Sequence, residues 1–375
     1  MADAEFAKVC KQEAVPELAT LLPRVAATGA LASPLVIDVT GSKCLRRLTD
    51  ADVEVLVRAV QKSGLPVEGI ALRNHDITDE GVATLCKLLG DAKSTLASLE
   101  LPGNAIGCKG CEHLAGALAS NKTLKRLDLS WNPVGMRGGF RLAEMLVSNV
   151  ALEVLRLGNV DFTTDTLIAL LSLLRTNEVI VEFDCSNPRL FSRQEDTTKH
   201  IARVLELNRT LRTLNLAKCL VGDDGAAVLA EALVGNPSLR SLKLACNQIG
   251  ANGAEAFARL LASGGCRTLV ELELSSNAVG DDGAIAFADA IAAQPGCVRK
   301  LDLRMNGVGD DGLVRLARAV GTSEITELLL WGNDFGRAAA AEFDALLHGP
   351  FLYNSVKTDL ATYTVDGVIC IAHAP

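Results

Sequence analysis

From about residue 34 onward the chain repeats one pattern of apolar and polar positions, L-x-x-L-x-L-x-x-N-x-I/V-x-x-x-G-x-x-x-L-A-x-x-L-x-x-N, in most copies at a spacing of 28 or 29 residues. The stretch from Leu124 to Ala151, LKRLDLSWNPVGMRGGFRLAEMLVSNVA, shows it clearly. Further units begin at Val67, Leu96, Leu152, Ile180, Leu211, Leu239, Leu269, Val298 and Ile325, and a weaker one near Pro34. The L-x-L step alternates with period two, so each unit opens with a short strand whose leucines share a face. The second half, as in GAAVLAEAL, spaces its apolar residues three and four apart and predicts a helix. One strand and one helix cannot bury their apolar faces alone. Stacking of such units predicts an α/β solenoid, with a parallel sheet on a concave face and helices on the convex face. The Asn at the ninth position (Asn104, Asn132, Asn247, Asn277, Asn306, Asn333) is expected to satisfy backbone groups where the chain leaves the sheet.

The departures from this pattern predict three segments. Residues 1–33 lie outside it and predict a helical cap over the first strand. The solenoid itself spans 34–348 in about eleven units, and 349–375 forms a C-terminal cap with a hairpin turning at Asp366-Gly367. The unit from Ile180 runs 31 residues, which predicts a bulge around Pro188 to Glu195, while Ser263 to Cys266 is a smaller helix-to-strand insertion. The motif VGDDG occurs at Val221, Val279 and Val308, always where strand gives way to helix. Twinned carboxylates beside glycine suggest a metal. The same phase elsewhere carries Ala251 or Lys109, which no metal site would survive. Asp223, Asp281 and Asp310 are therefore read as helix N-caps and Asp224, Asp282 and Asp311 as dipole partners. Gly225, Gly283 and Gly312 leave room for the neighbouring backbone.

Composition narrows the function. The chain is 49% hydrophobic but only 4% aromatic, in keeping with one leucine-sized layer repeated many times. A formal net charge of −8 argues against a nucleic-acid binder and favours basic over acidic partners. The N-terminus lacks the pattern of a signal peptide, and no apolar run is long enough to predict a membrane span. The eleven cysteines are expected as reduced thiols. Cys108 and Cys111, with His113 nearby, form the only C-x-x-C. No second pair completes a zinc site, so they are read as small core residues. His75, His113, His200, His348 and His373 are scattered and are read as surface or loop residues. No phosphate loop or nucleophile elbow is present, and neither a cofactor nor a catalytic residue is expected.

These repeats resemble the ribonuclease-inhibitor class of leucine-rich repeats over nearly the whole chain, which implies its horseshoe fold. Three departures from the consensus, Asn187 to Asn208, Leu328 to Phe335 and Lys357 to Ala372, resemble one branch of that class. The resemblance implies a non-enzymatic scaffold or adaptor in a larger cytoplasmic assembly, such as a radial spoke of the motile-cilium axoneme. A nucleolar or germ-cell factor is the alternative location. Two other functions occur within the class. One is inhibition of a basic enzyme, which tight ribonuclease binding would reveal. The other is GTPase activation of the Ran-activator type, where an acidic tail is usual and IAHAP does not supply one.

Function on such an architecture is expected on the inner wall. Its central outward positions run Ala71, Glu100, Asp128, Arg156, Asp184, Asn215, Lys243, Glu273, Asp302, Leu329. Lys125, Arg126, Arg212, Arg240, Arg299, Lys300 and Arg304 flank them. This mixed-sign mosaic suits protein partners better than a phosphate backbone or a membrane. Trp131 and Trp331 fall at the step leaving the strand, and Met305 shares the phase of Trp131. Exposed tryptophans there would be contact hot spots. The expected partner-binding set is therefore Trp131, Trp331, Met305, Asp128, Arg156, Lys243, Asp302 and Arg304.

Overall fold

The protein is seen in a computed structural model that describes residues 2–12, 35–40, 46–190, 195–296, 298–348 and 356–374. These fall into two compact units, Met1–Arg189 and Leu190–Pro375. The expected bulge lies partly outside the described residues, at 191–194, as do 13–33 of the N-terminal cap and 349–355 of the C-terminal cap.

In the first unit, six strands run parallel and in chain order: β1 (Leu35–Thr40), β2 (Val67–Arg73), β3 (Ser98–Glu100), β4 (Arg126–Asp128), β5 (Val154–Arg156) and β6 (Glu182–Asp184). One residue from each strand forms an unbroken row: Ile37, Ile70, Leu99, Leu127, Leu155, Phe183. Every member is buried. Five helices alternate with these strands: α2 (Asp50–Ser63), α3 (Asp79–Leu89), α4 (Cys108–Leu118), α5 (Gly135–Ser148) and α6 (Thr164–Leu174). An initial helix, α1 (Ala2–Gln12), packs on α2 and buries Phe6, Val9 and Cys10. Burial pushes the Cys10 thiol up to about 11.

The second unit repeats the scheme. Its strands are β7 (Thr213–Asn215), β8 (Ser241–Lys243), β9 (Glu271–Glu273), β10 (Lys300–Asp302), β11 (Glu327–Leu329) and the short β12 (Lys357–Thr358). Leu214, Leu242, Leu272, Leu301 and Leu328 form its buried row. Its helices are α7 (Glu195–Leu207), α8 (Asp223–Ala232), α9 (Ala251–Ala262), α10 (Gly280–Ala293), α11 (Asp310–Val320) and α12 (Arg337–His348). An antiparallel hairpin, β13 (Leu360–Val365) with β14 (Val368–His373), packs on α12 and turns at Asp366-Gly367, both at positive φ as a two-residue hairpin turn requires. In both units the row spacing follows from the sequence. A residue that recurs once per repeat meets its own copy on the next strand.

Polar ladders hold the repeats together. Asn132 donates through Nδ2 to the carbonyls of Leu101 and Leu129, at 2.8 and 2.9 Å, and accepts the Ile106 N–H at 3.1 Å. Asn306 does the same with Leu274, Arg304 and Val279. These side chains are buried, and each joins its own repeat to the one before it. The Asn that closes the pattern forms a second ladder. Asn121 donates to the Leu89 carbonyl and accepts the N–H of Thr123 and Leu124, and Asn236 repeats this with Leu205, Ser238 and Leu239.

Two sequence expectations change here. The aspartates of VGDDG do not cap their own helices. Asp223 Oδ1 accepts the N–H groups of Gly250 and Gly253, at 2.6 and 2.9 Å, at the start of the next repeat's helix. Asp281 accepts from Gly309 and Gly312 in the same way, at 2.7 and 3.1 Å, and Asp310 from Ala338 and Ala339. The reason is geometric. The carboxylate points along the stack, and the glycine of the next repeat makes space for it rather than for backbone. A Cβ on Gly312 would sit 2.7 Å from Asp281 Oδ1. His75, read from sequence as a surface residue, is buried at the ninth position, in place of Asn. Its Nδ1 accepts the Leu48 N–H at 3.2 Å, and its Nε2 lies 2.9 Å from the Val39 carbonyl.

Candidate protein-interaction face

The helices cover one side of each unit's sheet, so the residues between the buried leucines of each strand form the other side. On the second unit they line a groove of about 220 Å³. Its lining includes Lys243, Glu273, Lys300, Asp302, Arg304 and Glu327. The charges are paired among themselves. Lys243 Nζ lies 3.8 Å from Glu273, and Lys300 Nζ lies 3.1 Å from Glu327. Arg304 Nε lies 3.0 Å from Asp302 Oδ1, and Lys357 Nζ lies 3.1 Å from Glu327. Hydrogen bonds from Lys357 and Lys300 hold the Glu327 carboxyl below its ordinary range. Burial pushes Glu273 upward, with Asp302 and Glu271 adding to the effect and Lys243 opposing it. Such a floor presents little unbalanced charge.

On the first unit, Arg156 Nε donates to Glu182 at 2.6 Å, and Arg156 Nη1 lies 3.9 Å from Asp128 Oδ2. Arg73 bridges Glu100 and Asp38. Asp128 and Asp302 were expected as partner contacts, but each residue is only 8% exposed. Both carboxylates fold back onto their own chain. Asp128 accepts the Ser130 N–H at 2.9 Å, and Asp302 accepts the Arg304 N–H at 3.0 Å. Burial raises the Asp128 carboxyl despite the Ser130 hydrogen bonds and the nearby Arg156.

The large apolar residues stand at the rim. Trp131 is 63% exposed, Met305 61% and Trp331 40%. Trp131 and Met305 have φ of 61° and 53°. This left-handed conformation recurs at the same phase in Asn74, Gly103, Asn159, Asn187, Lys218, Cys246, Ser276 and Gly332. It turns the N–H toward the next repeat: Trp131 N–H donates to the Gly158 carbonyl at 2.9 Å, and Met305 N–H to the Trp331 carbonyl at 3.0 Å. The backbone contact fixes these residues at the rim.

Trp331 sits one position earlier. Its ring meets that of His373 on the hairpin, with centroids 5.1 Å apart. Sequence reasoning placed His373 on the surface but not against Trp331, and it missed Asp359. The buried Asp359 accepts the N–H groups of Leu330 and Trp331, at 2.9 and 3.2 Å. It does for the last repeat what a following strand does for the others. Neither residue belongs to the repeat, so periodicity carries no signal for them.

Among the described residues, no group of three His, Cys, Asp or Glu is placed to hold a metal ion. Cys111 is buried, which pushes its thiol up to about 12 with a smaller contribution from Asp79. No helix among the described residues is long and apolar enough to cross a membrane.

A family model described as Leucine Rich repeat matches residues 120–143, 207–230, 235–258, 265–288 and 297–317, each at the repeat phase described above. The chain is built of leucine-rich repeats. Each unit is a stretch of α/β leucine-rich-repeat solenoid, with parallel strands on one side and helices on the other. No curated protein matches the chain significantly. Among solved structures, a chain of the yeast Rad7 and Elc1 complex is similar at 18% identity and a TM-score of 0.50, over 78% of this chain and 75% of that one. An internalin, InlF from Listeria monocytogenes, matches at 14% identity and a TM-score of 0.43, over 95% of this chain and 93% of its own. The tropomodulin C-terminal domain of Caenorhabditis elegans matches at 18% identity and a TM-score of 0.33, over 42% of this chain and 90% of that domain. At these identities the likeness concerns the leucine-rich-repeat fold.

Proposed function

We propose that this leucine-rich-repeat chain is a non-catalytic interaction scaffold that holds a protein partner on the open strand face of its second unit. The observation that carries this reading is the pair Met305 and Trp331, large and exposed beside a floor of paired charges. Burying an apolar anchor next to neutralised polar groups is how interface hot spots gain affinity, and Trp is among the residues most enriched there. Arg156 and Trp131 offer a second grip on the first unit, whereas Asp128 and Asp302 act by orienting their neighbours. A chain of the same fold was solved in the Rad7 and Elc1 complex, so the fold is compatible with a protein partner. Residues 1–33 and 349–375 serve as end caps in this scheme.

The stretches Asn187 to Asn208, Leu328 to Phe335 and Lys357 to Ala372 resemble leucine-rich-repeat-containing protein thirty-four. On that resemblance the assembly is a motile-cilium axoneme, with the radial spoke as the specific setting. The test is affinity purification of the tagged full chain from ciliated cells, followed by mass spectrometry, for wild type, Met305→Ala and Trp331→Ala. Axonemal proteins enriched with wild type and depleted with Met305→Ala support both the surface and the setting. Nucleolar proteins in their place overturn the setting. Equal recovery by all three forms overturns the surface. Met305→Ala is the cleaner variant, because Trp331→Ala also removes the contact with His373.

A further inference from the structure

A different surface of the second unit departs from the charge balance of the molecule. The helix-to-strand segments 208–212, 234–240 and 263–270, each ending just before its strand, contain Arg209, Arg212, Arg240 and Arg267 and no acidic residue, the nearest being Glu271 at the start of β9. All four arginines are exposed. None of them makes an ion pair or a side-chain hydrogen bond among the described residues. Backbone pairing sets their strand starts side by side. The Arg240 N–H donates to the Arg212 carbonyl at 2.8 Å, the Val270 N–H to the Arg240 carbonyl at 2.8 Å, and the Arg299 N–H to the Val270 carbonyl at 2.9 Å. The first unit treats this phase differently. There Lys125 is followed one repeat later by Glu153, and the two pair at 3.1 Å. Like charges on neighbouring strands repel, and no contact of the fold offsets that repulsion here. In a chain of formal net charge −8, this edge is a local reversal of sign.

We infer that this arginine edge of the second unit binds an acidic polypeptide segment. Neighbouring strands lie about 4.8 Å apart, and an extended chain sets same-side carboxylates about 6.7 Å apart. Long guanidinium side chains span that difference and can each take a carboxylate in bidentate fashion. A nucleic acid fits less well. The three segments contain no aromatic residue on which a base could stack, and the acidic remainder of the chain repels a long polyanion. This edge is separate from the face that carries Met305 and Trp331, and the two readings stand or fall independently.

The experiment is fluorescence anisotropy of a labelled octaglutamate peptide with the full chain, at low and at physiological salt. The expected result is saturable binding that weakens with salt. Arg212→Glu combined with Arg240→Glu should weaken it at least about tenfold, since four units of charge are changed at an exposed site. Lys125→Glu and Met305→Ala should each change it less than about twofold. The pair Arg212→Gln and Arg240→Gln, checked for an unchanged melting temperature, guards against a folding defect and should give an intermediate loss. Absence of binding by wild type, equal binding by the reversed pair, or tighter binding of a labelled RNA octamer would each overturn the inference.

Discussion

Asp281 and Asp282 are adjacent, identical in type and at the same end of one helix, yet the structure gives them different tasks. Asp281 accepts two N–H groups that start α11, the helix of the next repeat. Asp282 is exposed and makes no such contact. Asp281→Ala removes an N-cap, worth about 1 kcal/mol in typical hosts and up to about 2. It also removes a negative charge at a helix N-terminus, worth about 0.3–1 kcal/mol. The expected loss is therefore about 1.3–3 kcal/mol, whereas Asp282→Ala loses only the dipole term of its own helix and should cost about 0.3–1 kcal/mol. Urea unfolding followed by circular dichroism measures both. Native-state hydrogen exchange then locates the damage. Amides of Asp310–Val320 should lose protection in Asp281→Ala, and those of Gly280–Ala293 should keep it. A partner substitution sharpens the test. Gly312→Ala puts a methyl 2.7 Å from Asp281 Oδ1 and 2.8 Å from a methyl of Val308, so it should destabilise on its own. Combined with Asp281→Ala it should cost less than the sum, because the carboxylate it would strike is gone. Strict additivity, or lost protection confined to Gly280–Ala293, would refute cross-repeat capping.

Further outcomes follow from other contacts. Asn132→Ala leaves two carbonyls and one N–H without their partner in a buried position and should cost about 2–4 kcal/mol by urea unfolding. Burial pushes the Asp52 carboxyl up, but hydrogen bonds from Arg46 and Thr49 outweigh it and bring it below its ordinary value. Its stabilisation is thus complete above the unfolded value of about 4 and is lost as pH falls through the lower folded value. Acid unfolding of wild type should accordingly show a component that Asp52→Asn lacks. Cys86 and Cys111, whose thiols burial pushes up to about 12, should react with Ellman's reagent at pH 8 only on unfolding. The exposed Cys246 should react at once, and Cys246→Ser should lower the fast amplitude by one thiol.

The leucine rows were legible because any residue recurring once per repeat must meet itself across a parallel sheet. The ninth-position Asn was legible for the same reason, since the chain has to satisfy backbone groups as it leaves a buried strand. The reach of Asp223 and Asp281 was not, because a sequence shows which turn a carboxylate belongs to and not that its side chain points along the stack. The left-handed rim left a trace that could have been used: Asn and Gly, which tolerate positive φ, fill that phase at Asn74, Gly103, Asn159, Asn187 and Gly332. Read that way, Trp131 and Met305 would have stood out as bulky residues held in a conformation that favours small ones. The burial of Asp128 and Asp302 was hidden, because outward-facing strand positions look alike until neighbouring side chains close over them. The arginine edge was visible residue by residue, but its missing counter-charges emerge only when the strands are set side by side.

The internal repeats share one half-connection, rim and strand amides reaching forward to the following carbonyls, and those that carry Asp223, Asp281 and Asp310 add a carboxylate reaching forward to the following helix. Any junction that preserves the phase can therefore be remade after a whole repeat is excised or duplicated, since the new neighbours present the groups the old ones did. A cut that shifts the phase strands donors and acceptors together. Length in this protein is thus quantised. Its count of internal modules can change in steps of one, whereas the last repeat, where the side chain of Asp359 takes over just past the short β12, tolerates no such exchange.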